Sequence, residues 1–161
     1  MTASCFVDSN VVVYARDLSE PLKQERASFW IERLGAAGAG RLSYQVMIEA
    51  YTALTRDCRK RMDRAAARKY IANFRYWYPL AMDLTVIETA WRLQDRFQFN
   101  WWDCLIIAAA QIAECGYLLT EALQHGQDLD GILVLNPFEV APAKSVSRLP
   151  LTHISASCAG L

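Results

Sequence analysis

The chain has 161 residues, enough for one domain with its own hydrophobic core, and 53% of them are apolar, as in an ordinary globular protein. Lysine plus arginine equals aspartate plus glutamate at 17 each, and this zero net charge argues against a protein that binds nucleic acid in bulk through a basic surface. The sequence predicts neither a membrane span nor a secretion signal, since no apolar run approaches about eighteen residues and no basic flank with a small-residue cleavage site opens the chain.

A short strand and a helix are predicted at the N-terminus. Residues Ser4 to Val7 form an apolar run typical of a buried strand. Either Ser9 or Asn10 is placed to cap a helix over Val11 to Arg16. The three consecutive valines suit a strand equally well, because β-branched side chains pack on a pleated surface. We predict the helix.

A longer helix follows and is opened by Pro21, which the first turn of a helix tolerates. The glycine-rich run from Gly35 to Gly40 is predicted to stop it, and Arg41 to Ser43 are predicted to form a second short strand. The apolar face of this helix comprises Phe29, Trp30 and Leu34.

Two helices and a strand are predicted in the middle of the chain. Ser43 is placed to cap a helix that extends to Cys58, with apolar residues at helical spacing. A basic, alanine-rich helix is predicted from Asp63 to about Trp77, ended by Pro79. Leu80 to Leu84 are predicted to form a third strand.

The last predicted elements are two helices and two strands. Thr85 and Glu88 have the spacing of a capping box, which predicts a helix from Thr85 to Phe97. The run from Trp102 to Cys115 is apolar almost all round, which predicts a buried helix ended by Gly116. The two strands, both predicted to be buried, are Tyr117 to Thr120 and Ile132 to Leu135.

This order of elements predicts an α/β fold. Strands separated by helices form parallel sheets covered on both faces, so the sequence predicts one domain over residues 1–138. Residues 139–161 contain prolines and many small residues without periodicity, and they are predicted to form a flexible C-terminal tail. The five cysteines are odd in number and lack C-x-x-C pairing, which favours reduced thiols and a cytoplasmic location.

Acidic residues stand at the ends of several predicted elements. Asp8 directly follows the first strand, Asp103 opens the buried helix, and Glu49 lies in the helix that Ser43 caps. In an open parallel sheet, ligands gather at the carboxyl ends of the strands. Carboxylates that face one cleft repel each other, and a hard divalent cation bound through oxygen relieves this repulsion.

Each acid alone has an ordinary explanation. Asp103 would favour the positive N-terminus of its helix. Glu49 would be a solvated residue at the border of an apolar face, and Asp8 would be a turn residue. The combination favours a shared acidic site, whose convergence the sequence alone does not establish.

Five blocks of sequence in order resemble the PIN-domain ribonucleases, and most closely the VapC toxins of bacterial toxin–antitoxin pairs. They extend over residues 4 to 138 and read F-V-D-S-N-V-V-V-Y-A, S-Y-Q-V-M-I-E-A, N-W-W-D-C-L-I-I-A-A-A, Y-L-L-T-E-A-L-Q-H-G-Q and V-L-N-P-F. Each block is weak by itself, and their order and spacing carry the resemblance. It implies a PIN-like three-layer α/β/α sandwich with a short central parallel sheet.

The resemblance also implies an activity and a site. It makes Asp8, Glu49 and Asp103 the catalytic acids, with Mg²⁺ or Mn²⁺ held by Asp8 and Asp103 and with Asn10 and Thr120 as supporting residues. The implied reaction is the metal-dependent hydrolysis of RNA phosphodiester bonds. The implied partners are an RNA substrate, a cognate antitoxin and a second copy of the chain in a homodimer, with no membrane involved.

Ala122 departs from the family pattern, which usually places an acid or an asparagine two residues past the threonine. Glu121 and Asp128 are the nearby acids that could substitute. Alternatively, the chain is a catalytically impaired PIN module that binds RNA or a protein. A receiver-like or phosphatase domain is disfavoured, because the first strand ends in the single acid of D-S-N rather than in an acid pair.

Two further features have open interpretations. The basic concentration from Arg56 to Lys69 either follows an RNA backbone or is a solvated helix face with Asp57 and Asp63 interspersed. Trp101 and Trp102 would stack on a base or fill a dimer interface. As neighbours at a helix start they point in different directions, so at least one of them is expected in the core.

Overall fold

The structure of the protein, a computed structural model, describes residues 4–56 and 62–139. The strands are β1 (Cys5–Val7), β2 (Gly40–Arg41), β3 (Tyr117–Leu119) and β4 (Leu133–Leu135). The helices are α1 (Ser9–Tyr14), α2 (Pro21–Ala37), α3 (Tyr44–Thr55), α4 (Arg64–Ala72), α5 (Leu84–Phe97) and α6 (Trp101–Ile112), and a 3₁₀ helix spans Asn73–Trp77.

The four strands form one parallel sheet in the order β2-β1-β3-β4, flanked by the helices, and this confirms the predicted α/β class. Val7 in β1 lies opposite Leu119 in β3, which lies opposite Leu135 in β4. Because the strands are parallel and in register, their carboxyl ends share one edge of the sheet. The residues that follow β1 and β3, Asp8 and Thr120, are therefore neighbours at that edge.

The core lies on both sides of the sheet, as continuous apolar strands require. Phe6, Val7, Leu118 and Val134 are fully buried, and so are most residues of the central part of α6. Full burial of an apolar side chain of this size contributes about 1.5–3 kcal/mol. The sheet and α6 therefore rigidly support the residues at the carboxyl edge of the sheet, Asp8 and Thr120.

The helix predicted after β1 is present, but the prediction of Ser9 or Asn10 as its N-cap is wrong. α1 begins at Ser9, and its N-cap is Asp8, whose side chain accepts a hydrogen bond from the backbone N–H of Ser9. The capping-box prediction at Thr85 is also wrong, because Asp83 caps α5 by accepting from the N–H of Val86. In both cases an aspartate one or two positions upstream has the extended backbone that a cap needs.

The boundaries of three other elements differ from the predictions. The second strand is Gly40–Arg41 rather than Arg41 to Ser43, since Ser43 is the N-cap of α3. Leu80 to Leu84 do not form a strand: Leu80 makes an isolated bridge to Ser43, and Leu84 already begins α5. After α6, the left-handed backbone conformation belongs to Glu114, with φ 53°, and not to the predicted Gly116.

Some predictions fall outside the described residues. One of them is the predicted helix end at Cys58, which lies beyond the described residues. The observed helix α3 ends at Thr55. Residues 57–61 of the basic region and residues 140–161 of the predicted tail are the others. Among the residues that the structure describes, no helix has the length and apolar character to cross a membrane.

Candidate acidic site

Asp8 lies at the centre of the acidic residues at the sheet edge. Its side chain is only 6% exposed, and three donors hold its carboxylate. The backbone N–H of Ser9 donates to Oδ1 at 2.6 Å. The amide of Asn10 and the hydroxyl of Thr120 donate to Oδ2 at 3.0 and 2.7 Å. The carboxylate is thus fixed in orientation from two sides.

Asn10 and Thr120 also contact each other. The Nδ2 of Asn10 lies 3.2 Å from the Oγ1 of Thr120, which accepts a further hydrogen bond from the backbone N–H of Ala122 at 3.0 Å. The Oδ1 of Asn10 is buried and has no hydrogen-bond partner among the described residues. A buried acceptor without a donor is costly, and one at the edge of an acidic site is available to a bound water or cation.

Glu49 reaches the same site from α3. Its Oε2 accepts a hydrogen bond from the hydroxyl of Ser9 at 2.9 Å, and its Oε1 accepts from the amide of Gln45 at 2.8 Å. The Ser9 hydroxyl also lies 3.3 Å from Asp8 Oδ1, so it stands between the two carboxylates. The side chain of Glu49 is half-buried rather than fully solvated.

Asp103 lies in the first turn of α6 and is held by the residue that caps this helix. The Oδ1 of Asn100 accepts from the backbone N–H of Asp103 at 3.0 Å, and the Asn100 amide donates back to the Asp103 carboxylate. This reciprocal pair, together with the helix N-terminus, explains part of the position of Asp103.

The charges of the acids influence the ionisation of Asp8 and Asp103. Burial raises the pKa of Asp8 to about 6, the hydrogen bonds from Thr120 and Ser9 oppose this rise, and the charges of Glu49 and Asp103 add to it. Burial also raises the pKa of Asp103; its bond to Asn100 opposes this, and the charge of Glu49 adds to it. Like charges perturb each other in this way only when they share a site.

The arrangement fits a hard divalent cation. Within residues 4–56 and 62–139, no group of three His, Cys, Asp or Glu side chains is spaced to enclose a metal by itself. Mg²⁺ needs no such cage, because it keeps several waters and takes only one or two carboxylates. A buried carboxylate with a raised pKa, two further acids and an unpaired amide oxygen have the oxygen chemistry that such an ion prefers.

The two acids considered as substitutes at position 122 are engaged elsewhere. Glu121 forms an ion pair with Lys23, with 2.8 Å between Nζ and Oε2. Asp128 accepts a hydrogen bond from the backbone N–H of Gly131 at 2.8 Å. Neither acid is among the charges that raise the pKa of Asp8. Ala122 itself contributes only its backbone N–H, to Thr120.

Two residues that hold the acids were missed by the sequence reasoning. Gln45 precedes Glu49 by four residues and Asn100 precedes Asp103 by three, spacings at which helical or capping side chains meet. These spacings were visible in the sequence. Ser9 was considered only as a helix cap, and its contact with Glu49 spans 40 residues of sequence.

An apolar groove of about 650 Å³ adjoins Glu49. Trp102 is 62% exposed and Ile48 is 66% exposed, so the groove opens to the surface. Trp101 is partly buried and packs against the core, as expected of at least one of the two tryptophans. The other lining residues are Gln45, Met82, Ile87 and Leu105.

Residues 5–121 match the family model of the PIN domain. Because this match covers most of the chain, the protein belongs to the PIN domain family. None of the curated proteins gives a significant match to the sequence.

Three solved structures share this fold. A toxin–antitoxin complex from Klebsiella pneumoniae has a TM-score of 0.60 at 16% identity, over 85% of this chain and 100% of the other. FitAcB from Neisseria gonorrhoeae has a TM-score of 0.57 at 19% identity, over 84% and 99%. VapC20 from Mycobacterium tuberculosis, described as a toxin that cleaves the sarcin–ricin loop, has a TM-score of 0.53 at 20% identity, over 71% and 87%. The structural neighbours are thus VapC- and FitB-type toxins of toxin–antitoxin complexes.

Proposed function

We propose that this protein is a metal-dependent endoribonuclease of the toxin type, neutralised by a cognate antitoxin. The observation that carries the proposal is the grouping of acids at the carboxyl edge of the parallel sheet: Asp8 and Glu49 lie on either side of the Ser9 hydroxyl, and the charge of Asp103 raises the pKa of Asp8. Perturbed acids that share one site are typical of catalytic centres. Membership of the PIN family and the toxin neighbour described as cleaving the sarcin–ricin loop support RNA as the substrate class.

In this proposal Asp8 and Asp103 hold Mg²⁺ or Mn²⁺. Bound there, the ion would lower the pKa of a coordinated water and neutralise charge that develops on the phosphate. Asn10 and Thr120 keep the carboxylate of Asp8 in a fixed orientation through their hydrogen bonds. Glu49, fixed by two donors, orients a water for attack. Since the RNA 2′-hydroxyl is not the nucleophile, the products should carry 5′-phosphate and 3′-hydroxyl ends.

The toxin–antitoxin complex among the structural neighbours supports an antitoxin as a partner. We assign to this protein an antitoxin whose C-terminal segment lies across the acidic site, and a second copy of the chain in a homodimer. The exposed apolar groove beside Glu49 supports a protein partner, because Ile48 and Trp102 offer apolar area that water covers poorly. We further assign the PIN domain to residues 1–138, a flexible tail to 139–161 and a cytoplasmic location to the protein.

The test is cleavage of structured and single-stranded RNA with Mg²⁺ or Mn²⁺, compared with the same reaction in excess EDTA. Asp8→Asn should lower the rate about a hundredfold or more, because it removes a metal-binding carboxylate charge while leaving the side-chain volume unchanged. Asp95→Asn, at an exposed acid of α5, is the matched control and should cleave like the wild type. Near-full activity of Asp8→Asn would show that the site is wrongly assigned.

The second candidate is a PIN module without catalytic activity that binds RNA or a protein. The observation that favours it is the exposed alanine at position 122, with Glu121 held by Lys23 instead of reaching the acids. The Ala122→Asp variant separates the two candidates. Cleavage by both chains supports the enzyme with three acids, cleavage by the variant alone identifies an impaired nuclease, and cleavage by neither favours the binding module.

A further inference from the structure

A basic pocket lies on the same helix as Glu49 and has no role in the acidic site. It has a volume of about 510 Å³, between the C-terminal part of α3 and the start of α4. We refer to it as the arginine pocket. Its lining residues are Tyr51, Thr52, Thr55, Arg56, Arg64 and Arg68.

Three guanidinium groups give this pocket its charge. Arg56, Arg64 and Arg68 are all exposed, and none of them pairs with a carboxylate within residues 4–56 and 62–139. Of the two neighbouring acids in the sequence, Asp57 lies outside the described residues, and Asp63 caps α4 by accepting a hydrogen bond from the backbone N–H of Ala66.

The charge of the pocket is matched to phosphate. A guanidinium group offers a planar fork of N–H donors that pairs with two oxygens of one phosphate. The hydroxyls of Thr52 and Thr55 already donate to carbonyls of their own helix, to Ile48 and Tyr51 at 2.8 Å each. The arginines are therefore the groups that would contact the ligand, and a neutral or cationic ligand would leave them unpaired.

The distance along α3 relates the arginine pocket to the acidic site. Glu49 and Thr52 lie three residues apart on one face of the helix, and Thr55 is six residues beyond Glu49. At a rise of about 1.5 Å per residue this is roughly 9 Å, the length of about two to three stacked nucleotides of one strand. A strand whose reacting phosphate lies at the acids thus reaches the pocket with a nearby phosphate.

We propose that the arginine pocket binds a backbone phosphate of the RNA strand, two to three nucleotides from the bond at the acidic site. The proposal rests on the proposed function for the identity of the ligand. It would allow a chain with zero net charge to hold RNA, because three positive charges lie together in the arginine pocket. The pocket would position the strand without reading its sequence.

The test is RNA binding in EDTA, which needs neither a metal nor cleavage. A fluorescein-labelled single-stranded RNA dodecamer is titrated with protein over a series of salt concentrations, and its anisotropy is measured. The Arg56→Gln/Arg68→Gln pair should weaken binding about tenfold or more and lower the slope of log K against log salt by about one. The Arg75→Gln/Arg92→Gln pair removes two other exposed arginines and should change affinity less than twofold.

Equal affinity and equal salt slope in the two pairs would overturn the proposal, and so would a wild-type chain that does not bind the dodecamer. Cleavage is scored separately. If the wild type cleaves RNA but the two arginine pairs bind it with equal affinity, the pocket proposal is wrong and the proposed function stands. If binding depends on the pocket but no RNA is cleaved, the pocket proposal stands and the proposed ribonuclease activity is wrong.

A second measurement uses the unmodified protein, in case the pocket pair folds poorly. A single uncharged methylphosphonate linkage is moved along an RNA that the wild type cleaves at one mapped bond, which fixes the register of the strand, and cleavage should fall about tenfold when the linkage lies two to three nucleotides from that bond. The Arg56→Lys/Arg68→Lys pair, which keeps the charge, should retain this pattern. An even response at every linkage would contradict a discrete phosphate site.

Discussion

Replacing Asp8 by asparagine removes a carboxyl group whose ionisation the fold opposes. Burial raises its pKa from the usual 3.8 to about 6. The difference of about two pKa units corresponds to about 3 kcal/mol, at about 1.4 kcal/mol per unit. Because Asp8 is only 6% exposed, solvent screening reduces this figure little. In the absence of a cation, the charged form of Asp8 therefore destabilises the folded chain.

The sign of the pH dependence follows from proton binding. Between the unfolded pKa of 3.8 and the folded pKa of about 6, the folded chain binds more protons than the unfolded chain. The free energy of unfolding of the wild type should therefore fall as the pH rises through this window, and Asp8 should contribute no further change above it. In Asp8→Asn this contribution should be absent.

The expected difference in the free energy of unfolding between Asp8→Asn and the wild type also includes a hydrogen-bond penalty. The new amide group would meet two donors, the Nδ2 of Asn10 and the hydroxyl of Thr120, which both donate to Oδ2 of Asp8 in the wild type. The loss of about two hydrogen bonds costs about 2 kcal/mol. The variant should thus be about 1 kcal/mol more stable than the wild type near pH 8, which raises the melting temperature by roughly 2–4 °C for a chain of this size.

Urea unfolding in EDTA, followed by the fluorescence of the five tryptophans near pH 4 and near pH 8, measures both effects. Millimolar Mg²⁺ should then stabilise the wild type but not Asp8→Asn, since only the former keeps the charge that binds the ion. Asp95→Asn should match the wild type throughout. A variant no more stable than the wild type near pH 8 would refute the view that Asp8 is a buried charge held against its desolvation.

Three further changes test a buried hydrogen bond, the packing at β2 and the orientation of Asp8. Tyr70→Phe removes the buried hydrogen bond of 2.8 Å to the Val12 carbonyl and should destabilise the chain by about 1–3 kcal/mol in urea unfolding. Gly40→Ala places a Cβ 2.4 Å from the Trp77 ring and should lower stability by about 1–3 kcal/mol, with a change in near-ultraviolet circular dichroism; an unchanged spectrum and stability would show that the ring moves freely. Thr120→Val removes the hydroxyl that orients the buried carboxylate and should reduce RNA cleavage about tenfold, with kcat affected more than KM; Thr120→Ser should restore it.

Local sequence patterns were sufficient for most of the elements. The strand at Cys5–Val7 and the helix α6 were predicted because their residues are continuously apolar, a property that depends on no distant partner. Boundaries were less predictable. Asp83 and Thr85 both have side chains that can cap a helix, and backbone conformation selects between them.

The residues of the candidate site also divide into those that the sequence predicted and those that it did not. The acids at positions 8, 49 and 103 were identified from the sequence, as were Asn10 and Thr120, because each falls at the end of an element or within a recognisable block. Their catalytic roles remain a proposal. The support of Glu49 was not predicted, because it depends on which faces of α1 and α3 pack together.

By itself, the sequence determined the α/β class, the parallel sheet and the acids available at its edge, although it also predicted a strand at Leu80 to Leu84 that the structure lacks. Only the tertiary structure decided that Glu121 pairs with Lys23, 98 residues away, and is thereby withdrawn from the site. It also decided that three arginines share a pocket beyond Glu49. The physical reason is that a side chain's partner is chosen by packing, which joins residues that no local pattern relates.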